Sequence, residues 1–217
     1  MKYTAPIFIT SARRSPIGRF GGALKELSAA ELATQVSTAL SPDAAQSVIF
    51  GQVLQAGGGM NVARQVALKL GLPQSTPAFT VNKVCGSGLK AVALGANEIA
   101  LGEADVVLAG GVEAMSRAPF YATEMRWGRK LGDAKLVDAI MHDGLTDPLH
   151  NIAMGETAER VAEKYQIARA AQDEYSLQSQ QRAVAAREAF AREIVPMETP
   201  KGRVEAELDA LGHGNLE

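Results

Sequence analysis

Short apolar runs alternate with segments of helical length along the first 110 residues or so. The runs predict strands at residues 6–10 (PIFIT), 48–50, 78–84 and 105–109 (DVVLA). The last run is continuously apolar rather than alternating, which is typical of a strand covered on both faces. This arrangement favours a mostly parallel sheet with helices packed against it.

Three helices are predicted between these strands. Residues 28–31 (SAAE) have the spacing of a capping box, and they begin a helix that reaches about residue 40. Residues 61–70 form a second helix that ends at Gly71. Over residues 87–101 the apolar positions recur every three or four residues and share one helical face, until Gly102 ends the helix. Strands alternating with helices in this way predict an α/β fold with right-handed crossovers.

The pattern changes after Met115. Glycine, proline, basic residues and one tryptophan are mixed over residues 116–154, and two further helices are predicted at 155–165 and 168–190. Residues 196–217 show no clear helical or strand periodicity. The sequence thus predicts an α/β core, a second region and an irregular tail, over residues 1–115, 116–196 and 197–217.

Composition and charge exclude several classes of protein. Hydrophobic residues make up 47% and charged residues 21% of the 217 residues, as in soluble globular proteins. A net charge of −2 supplies no basic field for nucleic acid. The apolar runs are far shorter than the ~18 residues of a membrane span, and no secretory leader is recognisable. We therefore expect a cytoplasmic protein without nucleic-acid or membrane partners.

The chain has a single cysteine, Cys85, which excludes an intrachain disulfide and a CxxC metal site. It lies where a predicted strand runs through Cys-Gly-Ser-Gly into a helix. A helix N-terminus favours a thiolate, the nucleophilic form of cysteine. Gly86 and Gly88 permit a tight turn and close approach of a carbonyl substrate, while the Cys85 N–H is a candidate oxyanion donor. The alternative is that Cys85 is a small buried apolar residue.

Several long blocks in this order resemble the thiolases, that is, the acetyl-CoA acetyltransferase and 3-ketoacyl-CoA thiolase group. They are RRSPIGRFGG (13–22), GQVLQAGGGMNVARQ (51–65), NKVCGSGLKAVALG (82–95), ADVVLAGGVEAMSRAPF (104–120), HDGLTDP (142–148), MGETAE (154–159) and REIVP (192–196). The resemblance implies a thiolase-like α/β fold with helices on both faces of the sheet and part of a loop domain. A decarboxylating ketosynthase of the wider superfamily is disfavoured by the same blocks.

The resemblance also implies a chemistry for Cys85. In the family this cysteine accepts an acyl group from acyl-CoA, and an acetyl-CoA carbanion then attacks the thioester, or the reverse thiolysis occurs. Leu145 and Met154 match positions that line the acyl and pantetheine pocket, although core packing is an alternative for both. Short-chain members often have HMG where Ala153, Met154 and Gly155 stand here. Coenzyme A enters as part of the substrate, and no metal or other cofactor is implied.

The resemblance covers only the N-terminal half of a thiolase. The family's second half supplies the histidine and second cysteine that act as bases, and an asparagine-bound water. None of His142, His150 and His213 is assigned as the base from the sequence. We therefore expect a complementary C-terminal half or a second copy as partner. The alternative is a truncated, non-catalytic fragment or interaction subunit.

Five basic residues occur between positions 117 and 135. Two interpretations remain open for them: contact with the phosphates of coenzyme A, or a solvated surface. The residues are Arg117, Arg126, Arg129, Lys130 and Lys135.

Overall fold

The centre of the structure, a computed structural model that describes residues 5–205, is a three-stranded parallel sheet. Its strands are β1 (Ser47–Gly51), β2 (Ala78–Val81) and β3 (Val107–Gly111), in the order β2-β1-β3. Ile49 of β1 lies opposite Phe79 on one side and Ala109 on the other. All five residues of β1 are buried, because this strand has a partner on each edge and helices over each face.

Helices cover both faces of the sheet, as predicted. On one face, α1 (Ala29–Thr38) and α2 (Val62–Lys69) share an apolar cluster with alternate residues of the strands, including Val48, Phe50 and Leu108. On the other face, α3 (Ser87–Leu101) packs on β1 and β3. Gly95 of α3 lies directly over Val107 and Ala109, so that a side chain there would press against both.

The three predicted helices are confirmed, together with the residues that begin and end them. Ser28 forms the full capping box with Glu31, and the Asn61 side chain accepts a hydrogen bond from the Arg64 N–H at the start of α2. Gly102 ends α3 in the left-handed conformation, at φ 74°. These ends depend on contacts within three or four residues, which is why local sequence predicts them.

The strand predicted at residues 6–10 is wrong. This segment forms no strand and pairs with none in the described part of the chain, and Phe8 and Ile9 are 76% and 78% exposed. Farther along, Arg14 makes a single bridge with Ile194. An apolar run forms a strand only where the edge of another strand pairs with its backbone. Residues 6–10 have no such partner in the described part of the chain.

A strand is present near residues 105–109, but it is not covered on both faces as the sequence predicts. The strand lies at Val107–Gly111, and Val106 before it is exposed. Only Leu108 in β3 is buried. β3 is less covered than β1 because β1 is its only strand partner within residues 5–205.

The expectation of irregular structure after residue 196 is also wrong for the described part. β8 (Met197–Thr199) and β9 (Gly202–Val204) form an antiparallel hairpin. Met197 is fully buried and clusters with Leu27 and Leu32. One buried methionine thus anchors a segment too short to show a periodic pattern. Residues 206–217 lie outside the described range.

The chain divides into two compact units. The first comprises Met1–Pro119 with Glu193–Glu217, and the second is Phe120–Arg192. No helix in the described part of the chain is long and apolar enough to cross a membrane. The interpretation of the second unit as part of a loop domain stays a prediction.

The second unit contains short antiparallel pairs and three helices. β4 (Phe120–Tyr121) pairs with β5 (Val137–Asp138), and β6 (Thr146–Asp147) pairs with β7 (Ile152–Ala153). A π-helical turn occupies Ile140–Leu145. The two predicted helices are present as α4 (Met154–Lys164) and as α5 and α6 (Arg169–Ala185 and Arg187–Phe190), with a break at Ala186.

The capping box of α1 generates a pH-dependent prediction. The Ser28 hydroxyl and N–H both donate to the Glu31 carboxylate, at 2.7 and 2.8 Å, and these bonds lower the pKa of Glu31. The stabilisation is therefore present above the ordinary glutamate pKa of ~4.3 and is lost as the pH falls through the lowered value. Glu31→Gln should lower the free energy of unfolding by about 0.5–1 kcal/mol at neutral pH. Urea denaturation near pH 3 should show a smaller difference, and an equal difference at both pH values contradicts this assignment.

Candidate active site

Cys85 lies in the loop between β2 and α3, and its side chain is exposed. Gly86 is the N-cap residue of α3, and no side chain caps the first turn of this helix. The positive end of a 15-residue helix therefore faces the loop without a capping carboxylate or hydroxyl. Cys85 therefore lies at the strand-to-helix position that the sequence predicts and is exposed rather than buried in this structure, while its role as nucleophile stays a prediction.

Two side chains hold the loop in place. The Ser87 hydroxyl accepts a hydrogen bond from the Lys83 N–H at 2.8 Å and donates to the Val84 carbonyl at 2.6 Å. Ser87 is only 4% exposed. The Asn82 carbonyl oxygen accepts from the Val84 N–H at 2.9 Å. Most of the turn's polar groups are thus bonded within the loop, which fixes the backbone on both sides of Cys85.

The backbone is strained immediately before the nucleophile candidate. Val84 has φ 49°, in the left-handed region, where a β-branched residue is a genuine outlier. A residue held in such a conformation costs about 1–3 kcal/mol and persists only where neighbouring contacts impose it. In a nucleophile elbow the nucleophile itself occupies the strained turn, whereas here the preceding residue does.

Three glycines bring the start of α3 into contact with the sheet. A Cβ atom at Gly51 would lie 2.3 Å from the carbonyl carbon of Ser87, and one at Gly111 would lie 2.8 Å from the Cα of Gly88. A Cβ at Gly88 itself would lie 3.4 Å from the Cα of Gly111, so that the tight positions are Gly51 and Gly111 on the strands. Gly86 has φ −89°, so the turn itself does not require glycine there. Whether Gly86 and Gly88 also admit a substrate carbonyl stays a prediction.

Glu113 follows β3 and reaches across to the segment after β1. Its two carboxylate oxygens accept hydrogen bonds from the N–H groups of Val53 and Leu54, both at 3.0 Å. Although the residue as a whole is exposed, partial burial of the carboxyl group raises the pKa of Glu113, and the two backbone bonds oppose this effect. This residue was not predicted from the sequence.

Cys85, the 53–54 segment and Glu113 lie at one edge of the sheet. Each follows the carboxyl end of a strand, and the three strands are parallel. In open α/β sheets this edge is where ligands bind. The first unit therefore places its one thiol at the expected location of a ligand site.

Leu145 and Met154 lie in the second unit, so the structure assigns them to a different unit from Cys85. They flank the β6–β7 pair, in which Thr146 lies opposite Ala153, and they leave this pair at the same end. Their exposed fractions are 38% and 39%. Both side chains are thus partly exposed in this structure, and their place in an acyl and pantetheine pocket stays a prediction.

The two described histidines are bonded to nearby carboxylates. His142 Nδ1 lies 2.7 Å from Asp143 and 3.1 Å from the hydroxyl of Tyr121. The bond from His142 is the main cause of the lowered pKa of Asp143. His150 pairs in the same way with Asp147, and that bond lowers the pKa of Asp147.

These contacts support a structural role for His142. His213 lies outside the described residues. The predicted basic cluster is divided between the units, because Arg117 is in the first and the other four residues are in the second. Arg129 pairs with Glu124 at 2.7 Å. No group of three or more potential metal ligands occurs within residues 5–205.

The fold and the site together define an α/β protein with an exposed cysteine at the carboxyl edge of a parallel sheet. Residues 7–210 match the family model described as "Thiolase, N-terminal domain". The chain therefore belongs to the thiolase family.

The relatives that it matches are about twice as long. The chain is 50% identical over 203 residues to an acetyl-CoA acetyltransferase of Cupriavidus necator, covering 90% of this chain and 52% of the relative. It is 46% identical over 207 residues to a probable acetyl-CoA acyltransferase of Staphylococcus aureus, covering 92% and 53%. The crystal structure of the Bacillus anthracis acetyl-CoA acetyltransferase matches with a TM-score of 0.85 and 40% identity, covering 91% of this chain and 52% of that one.

Sequence reasoning did not identify the residues that support Cys85, namely the nearby Ser87 and the distant Glu113. Ser87 was noted only as part of the Gly-Ser-Gly turn, and Glu113 only as part of the matching block 104–120. One signal was available, because β1 and β3 each end in glycine at the edge where Cys85 lies. That coincidence indicates a close approach of backbone to backbone.

Gly51→Ala should displace the start of α3. Its Cβ would lie 2.3 Å from backbone atoms, which cannot move as a flexible side chain does. We expect a loss of about 1–3 kcal/mol or more in the free energy of unfolding, measured by urea denaturation. Gly155→Ala is the matched control, because nothing lies within 4 Å of a Cβ there, and it should be neutral or stabilising by up to about 1 kcal/mol. Equal effects of the two substitutions contradict the packing argument.

Ser87→Ala should loosen the Cys85 loop, since the Lys83 N–H loses its acceptor. We expect a loss of about 1–2 kcal/mol in stability, together with a changed rate of Cys85 alkylation by iodoacetamide. Ser47→Ala is the control, because Ser47 is equally buried but its hydroxyl has no hydrogen-bond partner among the described residues. A Ser87 variant that behaves like the Ser47 variant contradicts the role of the hydroxyl.

Proposed function

We propose that this chain supplies the nucleophile-bearing half of a CoA-dependent acyltransferase of the thiolase type. The observation that carries the proposal is the exposure of Cys85 at the uncapped N-terminus of α3, on the carboxyl edge of the sheet. Membership of the thiolase family and relatives named as acetyl-CoA acetyltransferases support the same chemistry.

The first half-reaction is acyl transfer to Cys85. Its deprotonated Sγ attacks the thioester carbonyl of acyl-CoA and forms a new S–C bond. The negative charge that develops on the carbonyl oxygen is stabilised by the positive end of α3. The bond to the sulfur of coenzyme A then breaks, and coenzyme A leaves with the proton that the thiol released. The product is an acyl-cysteine, which is the covalent intermediate of a ping-pong reaction.

The second half-reaction is a Claisen condensation. The α-carbon of acetyl-CoA loses a proton to a base and attacks the acyl-cysteine, which releases 3-ketoacyl-CoA and the Cys85 thiolate. Thiolysis is the reverse sequence. Leu145 and Met154 are proposed to line the acyl pocket, since both remain half-exposed beside one another. No metal is proposed to take part, and coenzyme A acts only as part of the substrate.

The bases for these steps are proposed to come from a partner chain. Both described histidines are bonded to neighbouring carboxylates in the second unit, and the chain spans about half the length of its curated relatives. A complementary C-terminal thiolase half or a second copy is the proposed partner. The setting that we propose is the cytoplasm.

A non-catalytic interaction subunit is the second candidate. It is favoured by α5, which has no buried residue within the described structure and exposes Tyr175, Leu177 and Val184. Apolar side chains left on a surface in this way are typical of a face that another protein covers.

Acylation of Cys85 distinguishes the two candidates. We expect the purified chain, incubated with acetyl-CoA or acetoacetyl-CoA, to gain one acetyl group slowly in intact-mass analysis, because only the fraction of Cys85 that is already thiolate reacts without the partner's base. Cys85→Ala should gain none, which localises the adduct. A folded wild-type chain that gains no acetyl group alone, but gains one after a C-terminal thiolase half is added, supports a split enzyme. No adduct under either condition favours the non-catalytic subunit.

A further inference from the structure

Glu113 connects two strand ends that are 60 residues apart in the sequence. Both of its carboxylate oxygens are used, one for the Val53 N–H and one for the Leu54 N–H. A carboxylate can accept at both positions, whereas an amide presents one oxygen and one NH2 group. A glutamine in the same place would therefore direct its NH2 group, which is a donor, at one of the two backbone N–H groups, which are also donors.

The segment that Glu113 holds continues to the Cys85 loop. The Gln52 N–H donates to the carbonyl of Val81, the last residue of β2, at 3.1 Å. Gly51, just before Gln52, is in close contact with Ser87 at the start of α3. Residues 53–54 are therefore within two residues of chain of contacts with both ends of the loop that carries Cys85.

The carboxyl group of Glu113 is partly buried at the edge of a cavity. It lines a small cavity of about 220 Å³ together with Arg13, Arg14 and the last residues of β3. Partial burial raises the pKa of its carboxyl group. Removing a carboxylate from water is costly unless it is hydrogen-bonded, and both oxygens of Glu113 accept hydrogen bonds here.

We propose that Glu113 is a positioning residue of the Cys85 site, which holds residues 53–54 beside the end of β3, next to the Gln52 bond to β2, and so fixes the direction in which Sγ meets a bound thioester. This inference rests on the proposed acyltransferase function. Because small misplacements of a reacting group are costly, the acetylation of Cys85 should be more sensitive to Glu113 than the intrinsic reactivity of the thiol.

The test compares the unaltered 217-residue chain with its Glu113→Gln variant in two reactions of the same thiol. At saturating acetyl-CoA the variant should acetylate Cys85 about tenfold more slowly. Its alkylation by iodoacetamide, which needs no oriented thioester, should be unchanged. Amide hydrogen exchange, read by NMR, should become at least about tenfold faster at residues 53–54 and in the 83–87 loop but not in α2.

Glu103→Gln is the matched control. Glu103 is an exposed glutamate of the same unit, just beyond the other end of α3, and its substitution should change none of these rates. If Glu113→Gln does not fold, Glu113→Asp retains the charge but shortens the side chain by one methylene, and the same results are expected.

The outcomes separate this inference from the proposed function. Faster exchange confined to 53–54, with an unchanged 83–87 loop and unchanged acetylation, overturns the positioning role. Uniformly faster exchange, including α2, shows a general loss of stability and also overturns it. If the wild-type chain is not acetylated at all, the proposed function fails for this chain alone. The exchange pattern then decides the role of Glu113 by the same criteria.

Discussion

The structure depends on the close approach of one helix end to two strand ends. Gly51, Gly88 and Gly111 let the first turn of α3 lie directly on the backbone of β1 and β3. This contact brings the N-terminus of the helix to the carboxyl edge of the sheet and leaves Cys85 exposed between them. The left-handed Val84 and the bonds of Ser87 follow from it, because the chain must turn sharply to join β2 to a helix so close to the sheet.

Local sequence predicted the elements whose ends are determined by near neighbours. The helices begin and end at Ser28, Asn61 and Gly102 because each forms its contacts within one turn. The segment at 6–10 shows the limit of this reasoning. Its apolar residues suit a strand, but strand formation depends on a partner edge that local pattern does not reveal. The 197–204 hairpin is the converse case, since burial of Met197 against α1 and its flanking residues is a long-range contact.

The sequence was sufficient to predict Cys85 as the candidate nucleophile, but not the residues that hold its loop in place. Cys85 could be identified because a strand, a cysteine and a Gly-Ser-Gly turn into a helix are contiguous in the sequence. Glu113 and Gly51 act on that centre from 28 and 34 residues away along the chain. Only the parallel sheet brings them to the same edge, so no local pattern indicates their roles. The prediction for Leu145 and Met154 depends on the resemblance to the family. The structure adds that both residues lie at the same end of the β6–β7 pair.

The glycine contact also restricts how such a site can diversify. Positions where even a methyl group meets backbone cannot acquire side chains that would select one substrate over another. The side chains of Leu145 and Met154, beside the β6–β7 pair, meet no such restriction, since both are partly exposed. The backbone contact beneath the Cys85 loop therefore allows little variation at Gly51 and Gly111, whereas exposed positions of the same chain can vary without disturbing it.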